Sequence, residues 1–434
     1  MKLSNVEKAL VEGNTLVKIR QKLDNLISGI FRYFWAKKQQ IQNNKIVFMG
    51  YGDRYECNLK YIAEEMLRQE LPYELIWLAA KDTKKLKEDV PAGVTVVKKS
   101  SYMGLYHIAT AKVWIDNALN FLWYPSLRKK KGQVYINTWH GSMGLKRIGG
   151  ETVQNRKWRN VAKKCNETTD YCISDSAFET EVFRTTYWKD VPILEYGHAR
   201  NDIFFENNAE KVRQQKEAVL EKLKLIPQIP EDMEYLYPQK REQILNDRKA
   251  ATDLRFVLYA PTFRDNGRFD CYNIDFSRLI EALQQRFGGT WKVLLRFHFH
   301  NRGVGSKIFN EETFINVTDY PGMQELLTLA DVGITDYSSW ICDYALTRKP
   351  AFIYAADLEE YNNERGLYYP LETTPFPLAV NNDELISNIL RFDCNQYSVN
   401  LEAFLQDKGC LEDGHASERV VKLINKLIEG ENMP

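Results

Sequence analysis

Val332-Gly333-Ile334-Thr335-Asp336-Tyr337-Ser338-Ser339 sets the reading of the whole chain. Its first four residues form a short apolar run that reads as a buried strand, and an acid and two serines follow at once. Residues 340–346 then read as a helix that Pro350 stops. A strand that ends where a helix begins is the repeating unit of an open α/β sheet. The same reading extends on both sides to strands at 256–259, 292–297, 314–317 and 351–354. The amino-terminal half repeats it, with strands at 46–49, 74–78, 94–98, 112–116, 134–138 and 171–174. Helices are expected at 59–69 and 155–164, and from Phe178 with Ser176 as its cap. Such alternation predicts parallel sheets with helices on both faces.

At 434 residues the chain is too long for one ordinary core and fits two doubly wound domains facing across a cleft. The expected division is a basic amphipathic helical segment over 1–44, a first Rossmann-like domain over 45–196 and a second over 197–434. Residues 207–255, rich in Lys, Glu and Gln and broken by Pro227, Pro230 and Pro238, read as helical insertions near the boundary.

A net charge of +1 provides no overall field for nucleic acid, and none is expected as a partner. The seven cysteines are scattered without a C-x-x-C pair, which points to neither zinc ribbon nor disulfide framework but to a reduced, cytoplasmic setting. No stretch approaches the roughly 18 apolar residues of a membrane span. In the first segment Leu16, Ile19, Leu23, Leu26, Ile27, Ile30 and Phe34 recur at helical spacing among Lys18, Arg20, Lys22, Arg32, Lys37 and Lys38. That helix can pack on the domain behind it or lie peripherally on an anionic membrane surface.

Chemistry-bearing residues gather at the strand ends. Ser338 and Ser339 stand where a helix N-terminus exposes unpaired N–H groups, a seat for phosphate, although one serine there can equally be a plain cap. Arg264, in Ala260-Pro261-Thr262-Phe263-Arg264-Asp265, can reach into the crevice for a bidentate phosphate contact or pair with Asp265 or another acid. Alternation puts Arg296, His298 and His300 on one face of their strand, where His-x-His also has the form of a metal pair without an acidic third ligand nearby. In the first half, strand 134–138 runs into Thr138-Trp139-His140-Gly141-Ser142-Met143-Gly144. There Gly141 allows close backbone approach, and His140 can serve as a base or as a structural loop residue.

Three segments together resemble the motifs of the CDP-glycerol glycerophosphotransferase family: Thr138-Trp139-His140-Gly141…Leu145-Lys146-Arg147-Ile148-Gly149, Tyr259–Arg264, and Ala330–Ser339. So does a fourth, Lys349-Pro350…Tyr354…Asp357–Tyr361…Arg365-Gly366. The resemblance spans about residues 100–370 in order. It implies a GT-B-type fold, with His140 as base and His298 as the second essential histidine. It also implies a donor site drawn from Gly141, Thr262, Arg264, Arg296, Asp336, Ser338, Ser339 and Arg365. The chain departs from the family where Ser142-Met143-Gly144 follows His-Gly, where Phe299-His300 follows the second histidine, and where Gly-Tyr-Pro-Arg-Asn-Asp appears as Gly197-His198-Ala199-Arg200-Asn201-Asp202.

The implied reaction moves glycerol phosphate, or a related polyol phosphate, from a CDP-alcohol such as CDP-glycerol or CDP-ribitol to a hydroxyl of a lipid-linked glycan or polyol-phosphate acceptor. CMP is released, with no tightly bound cofactor and no metal expected. The alternatives are a GT-B sugar-nucleotide glycosyltransferase and a catalytically silent binding subunit.

Overall fold

The structure is a computed structural model that describes residues 29–430, apart from 53, 81–82, 124–127, 149–155, 231–232, 234–235, 265–268, 298–307 and 365. Most of the amino-terminal helical stripe, together with His298, His300 and Arg365, therefore lies outside the described residues. Residues 29–38 are helical.

Two all-parallel sheets organise the chain. The first contains β1 (Gln42–Met49), β2 (Glu74–Ala79), β3 (Val94–Lys98), β4 (Ala111–Asp116), β5 (Val134–Asn137), β6 (Tyr171–Ser174) and β7 (Ile193–Glu195) in the order β3-β2-β1-β4-β5-β6-β7. The second contains β8 (Arg255–Tyr259), β9 (Trp291–Leu295), β10 (Ile315–Asn316), β11 (Val332–Thr335), β12 (Ala351–Tyr354) and β13 (Leu378–Ala379) in the order β10-β9-β8-β11-β12-β13. In both sheets the order reverses beside the first strand, between β1 and β4 and between β8 and β11. Crevices open at the carboxyl ends of strands at such points. This is the expected GT-B-type architecture of two Rossmann-like sheets.

The central strands are buried on both faces, so they read as continuous apolar runs: Ile46, Val47 and Phe48 are fully buried, as are Val257 and Leu258. Ser176 caps the helix Ala177–Thr186 by accepting from the Glu179 N–H at 3.1 Å. The edge strands β7 and β13, of three and two residues, carry too little pattern to be expected from the sequence.

The chain ends in three helices, Asn382–Leu390, Cys394–Asp407 and Ala416–Glu429. The last one returns to the first sheet, where Val420, Val421, Leu423 and Ile424 share a core with Ile46, Phe48, Leu59 and Ile62. The expected second domain over 197–434 thus gives its final helix to the first core. The His140 loop crosses the other way: Met143 and Leu145 are buried in the second core, with Tyr259 and Ile341. Residues 145–147 run beside 366–368, where Tyr368 N–H donates to Leu145 O at 2.8 Å and Arg147 N–H to Gly366 O at 3.2 Å.

Candidate active site

β5 delivers His140 by way of a strained turn. Trp139 has φ +49°, a region that costs an L-residue about 1–2 kcal/mol. Its N–H donates to Asn137 Oδ1 at 2.9 Å, and its ring lies among Phe183, Tyr187 and Trp188. Asn58, at the start of the helix Cys57–Arg68, donates from Nδ2 to the carbonyls of Thr138 (2.9 Å) and Trp139 (3.3 Å). The turn is held from both sides, and it presents His140 to the cleft.

His140 remains accessible in the cleft. Its Nδ1 lies 2.6 Å from the Asn117 carbonyl oxygen, which has no proton to give, so Nδ1 carries the hydrogen and Nε2 keeps a lone pair. The Tyr51 ring stacks on the imidazole, with centroids 5.2 Å apart and planes 5° apart. Asn117 braces Tyr51 as well, because its Oδ1 accepts the Tyr51 N–H at 2.8 Å. Tyr51 follows β1 and Asn117 follows β4, so the histidine sits at the point where the strand order of the first sheet reverses. The protein mass around it desolvates the ring. That, with Arg200 and Lys146 nearby, lowers the imidazole to about 4, against the smaller upward effect of its Asn117 bond.

The second half of the site begins after β11. The helix Trp340–Ala345 has Ser339 at its cap position, yet the Ser339 side chain makes no capping bond. The plain-cap alternative is therefore not what this serine does. Ser338 and Ser339 are both half-buried at the cleft. A methyl built on Gly144 would stand 3.5 Å from Ser339 Cβ, so the His140 loop lies directly against this turn. Gly141, at the loop's head, gives its carbonyl to Arg200 Nη2.

Arg264 is not free to hold a phosphate. Its Nε and Nη2 bind Asp357 at 2.7 and 2.9 Å, Nη2 also binds Asp336 at 2.8 Å, and Nη1 donates to Thr262 O at 2.6 Å. Tyr272, Tyr337 and Tyr361 surround the guanidinium with centroids 5.0–5.5 Å away. The expected donor contact is corrected to a buried strut, because two carboxylates and three ring faces already satisfy the charge. Asp336 is likewise committed: Oδ1 accepts from Thr262 N–H at 2.8 Å and Tyr337 N–H at 2.6 Å. It ties the β8 and β11 ends together. Thr262 keeps a buried hydroxyl without a partner among the described residues.

Arg296 reaches across the cleft. Nη1 donates to Tyr320 O at 2.8 Å, and Nη2 stands 3.7 Å from Glu56 of the first sheet's loop. Burial lowers its guanidinium to about 10, Glu56 acts against that, and neighbouring Arg54 adds to it.

Beneath the loop lies a buried polar cluster that the sequence did not reveal. His198 Nδ1 is 3.5 Å from Asp175 and Nε2 is 3.1 Å from Glu179. These three residues bring possible metal ligands within 4.8 Å of one another. The two acids face different ring nitrogens, and neither nitrogen makes a hydrogen bond of ordinary geometry among the described residues. Ser142 donates its hydroxyl to Asp175 from the loop above.

The profile described as CDP-Glycerol:Poly(glycerophosphate) glycerophosphotransferase matches residues 30–226 and 235–426. The chain belongs to this family. The teichoic acid poly(glycerol phosphate) polymerase of Bacillus spizizenii is 29% identical over 95% of the chain and 99% of its own length. The teichoic acid glycerol-phosphate transferase of Staphylococcus aureus is 29% identical over 94% of the chain and 100% of its own. A solved structure of the wall teichoic acid polymerase TagF, a variant soaked with CDPG, superposes with TM-score 0.75 at 27% identity, covering 96% of this chain and 98% of that one. The protein is thus an enzyme of the glycerophosphotransferase class, on the fold that its two sheets display.

Proposed function

We propose that the protein transfers glycerol phosphate from CDP-glycerol to a hydroxyl of a lipid-linked, teichoic-acid-type acceptor. The acceptor oxygen bonds to the β-phosphorus, the bridging P–O bond breaks towards the α-phosphate, and CMP leaves. The acceptor proton passes to His140 Nε2 and from there to solvent. One observation carries this reading: the ring nitrogen left with a lone pair belongs to a loop whose Gly144 touches the Ser339 turn. Base and anion seat can therefore meet on one pyrophosphate, with His298 and Arg365 as further contributors. A positioned base contributes about 10²–10⁴-fold, and in-line placement with charge neutralisation supplies much of the rest.

Attachment to an anionic membrane surface belongs to the same proposal. Phe31 (76% exposed), Phe34 (58%) and Ile30 are exposed on the 29–38 helix, and Tyr102 (63%) and Met103 are exposed on the helix it packs against, where Trp35 meets Tyr102 at 4.6 Å between ring centroids. Arg32, Lys37 and Lys38 are exposed on the same helix, and Lys130 Nζ, bonded to Gln39 O at 2.7 Å, brings the 128–131 basic run alongside. No helix among the described residues is long and apolar enough to cross a membrane.

The deciding experiment is incubation with CDP-glycerol, CDP-ribitol and a set of UDP-sugars, with nucleotide products separated by chromatography. CMP from CDP-glycerol supports the reading. UDP release in its place would mean a glycosyltransferase, and no turnover with any donor would favour a silent binding subunit.

A further inference from the structure

Arg200 lies in the short helical turn Ala199–Phe205, far in sequence from both halves of the cleft, and only 2% of it is exposed. Its fork reaches three partners, and the first of them is Cys57, to whose Sγ Nη1 donates at 3.8 Å. Nε and Nη2 bind Asp343 Oδ2 and Oδ1 at 2.9 and 3.0 Å, and Nη2 also donates to the carbonyl of Gly141, next to His140. Asp343 belongs to the helix Trp340–Ala345, which the Ser338-Ser339 turn precedes. Asp343 is steadied in turn by Asn201 Nδ2 at 3.1 Å and Gln324 Nε2 at 3.2 Å. The Arg200 backbone N–H donates to Asn58 Oδ1 at 3.2 Å, and Asn58 holds the carbonyls of Thr138 and Trp139. Three carbonyls around His140 are thus gripped by one connected set of side chains, and that set is anchored on the opposite helix.

We infer that Arg200 is a positioning residue that fixes the His140 loop against the Ser338-Ser339 helix by binding the Gly141 carbonyl and Asp343 together. The inference rests on the reaction proposed above and extends it to a residue that touches neither donor nor acceptor. A lysine cannot replace it, because a single ammonium lacks the planar fork that meets a carboxylate edge-on while reaching a carbonyl. Burial disfavours its charge, but Asp343 more than offsets this and the guanidinium stays charged. That charge opposes protonation of His140, so the same residue helps keep the base neutral.

The test combines kinetics with histidine NMR on the full chain. Arg200→Lys and Asp343→Asn should each lower kcat for CMP release by about 10²-fold, the cost of roughly 1 Å of misplacement, while donor KM changes by less than about threefold. Among the six histidines, His140 is assigned by its loss in His140→Gln. Its titration in ligand-free protein should move upward in Arg200→Met and stay in place in Arg200→Lys. Wild-type kcat in both Arg200→Lys and Asp343→Asn would overturn the inference. So would a kcat loss in Arg200→Met with an unmoved His140 titration, which marks a merely structural residue. If wild-type protein releases no CMP, the reaction reading fails instead. The titration needs no substrate and still decides whether Arg200 acts on His140.

Discussion

His140 Nδ1 lies 2.6 Å from the main-chain oxygen of Asn117, and this contact settles which nitrogen faces the cleft. A carbonyl is a fixed acceptor, so the ring is held in one tautomer without any carboxylate behind it. His140→Gln retains a polar side chain but has no basic nitrogen. We expect kcat to fall by about 10²–10⁴-fold with donor binding preserved, measured by CMP release and by calorimetric titration with CDP-glycerol.

The pH profile follows from the desolvated ring. An imidazole lowered to about 4 is neutral, and competent as a base, at every pH well above that. The acid limb of kcat/KM, which reports the free enzyme, should therefore fall near pH 4 rather than at the ordinary histidine value of about 6.5. A bound pyrophosphate brings negative charge and favours the imidazolium. The acid limb of kcat, which reports the complex, should lie higher than that of kcat/KM.

Ser339 makes no capping bond, so its hydroxyl is not needed to hold the helix. Ser339→Ala should leave the melting temperature unchanged. Loss of one hydrogen bond to a charged phosphate, about 1.5–3 kcal/mol, should raise donor KM by about 10–100-fold. A lower melting temperature with unchanged KM would return this serine to a capping role.

Arg264 should behave in the opposite way. Arg264→Lys breaks a buried, bidentate pairing and leaves Asp336 and Asp357 short of their partner. A loss of about 3–5 kcal/mol of stability is expected, read from denaturant unfolding, with little direct effect on donor affinity in the fraction that folds.

The exposed apolar residues at the amino-terminal side make a separate prediction. Burying a phenylalanine ring stabilises by about 1.5–3 kcal/mol, so Phe31→Ser with Phe34→Ser should weaken binding to phosphatidylglycerol vesicles by about 10²–10⁴-fold. Co-sedimentation measures this, and turnover of a soluble acceptor should be unaffected.

Much of the fold was legible because its signals are local. Runs such as 46–49 and 332–335 are apolar on both faces, which only a doubly covered parallel strand requires. The edge strands β7 and β13 escaped because two or three residues show no period. The last helix is visibly amphipathic, but nothing in its pattern says that its partner is Leu59 and Ile62 rather than the nearer sheet.

The candidate site divides in the same way. Residue type and strand-end position made His140, Ser338 and Ser339 candidates, because the proposed base and anion seat need those chemistries at those places. For Arg264 the sequence left phosphate and acid open, because a guanidinium serves a phosphate or two aspartates equally well, and Asp357 is 93 residues away. Asn58 and Arg200 act on backbone carbonyls of other segments and Asn117 acts through its own, and a carbonyl has no letter in a sequence.

The order of residues by itself determined two parallel sheets, their strand ends and the chemistry stationed there, since hydrophobic period and side-chain type are properties of short stretches. Only the tertiary structure decided which charges are spent inside the protein and which face the cleft. The Arg200–Asp343 pair joins residues 143 positions apart, and it exists because two separate cores and a crossing loop bring them together.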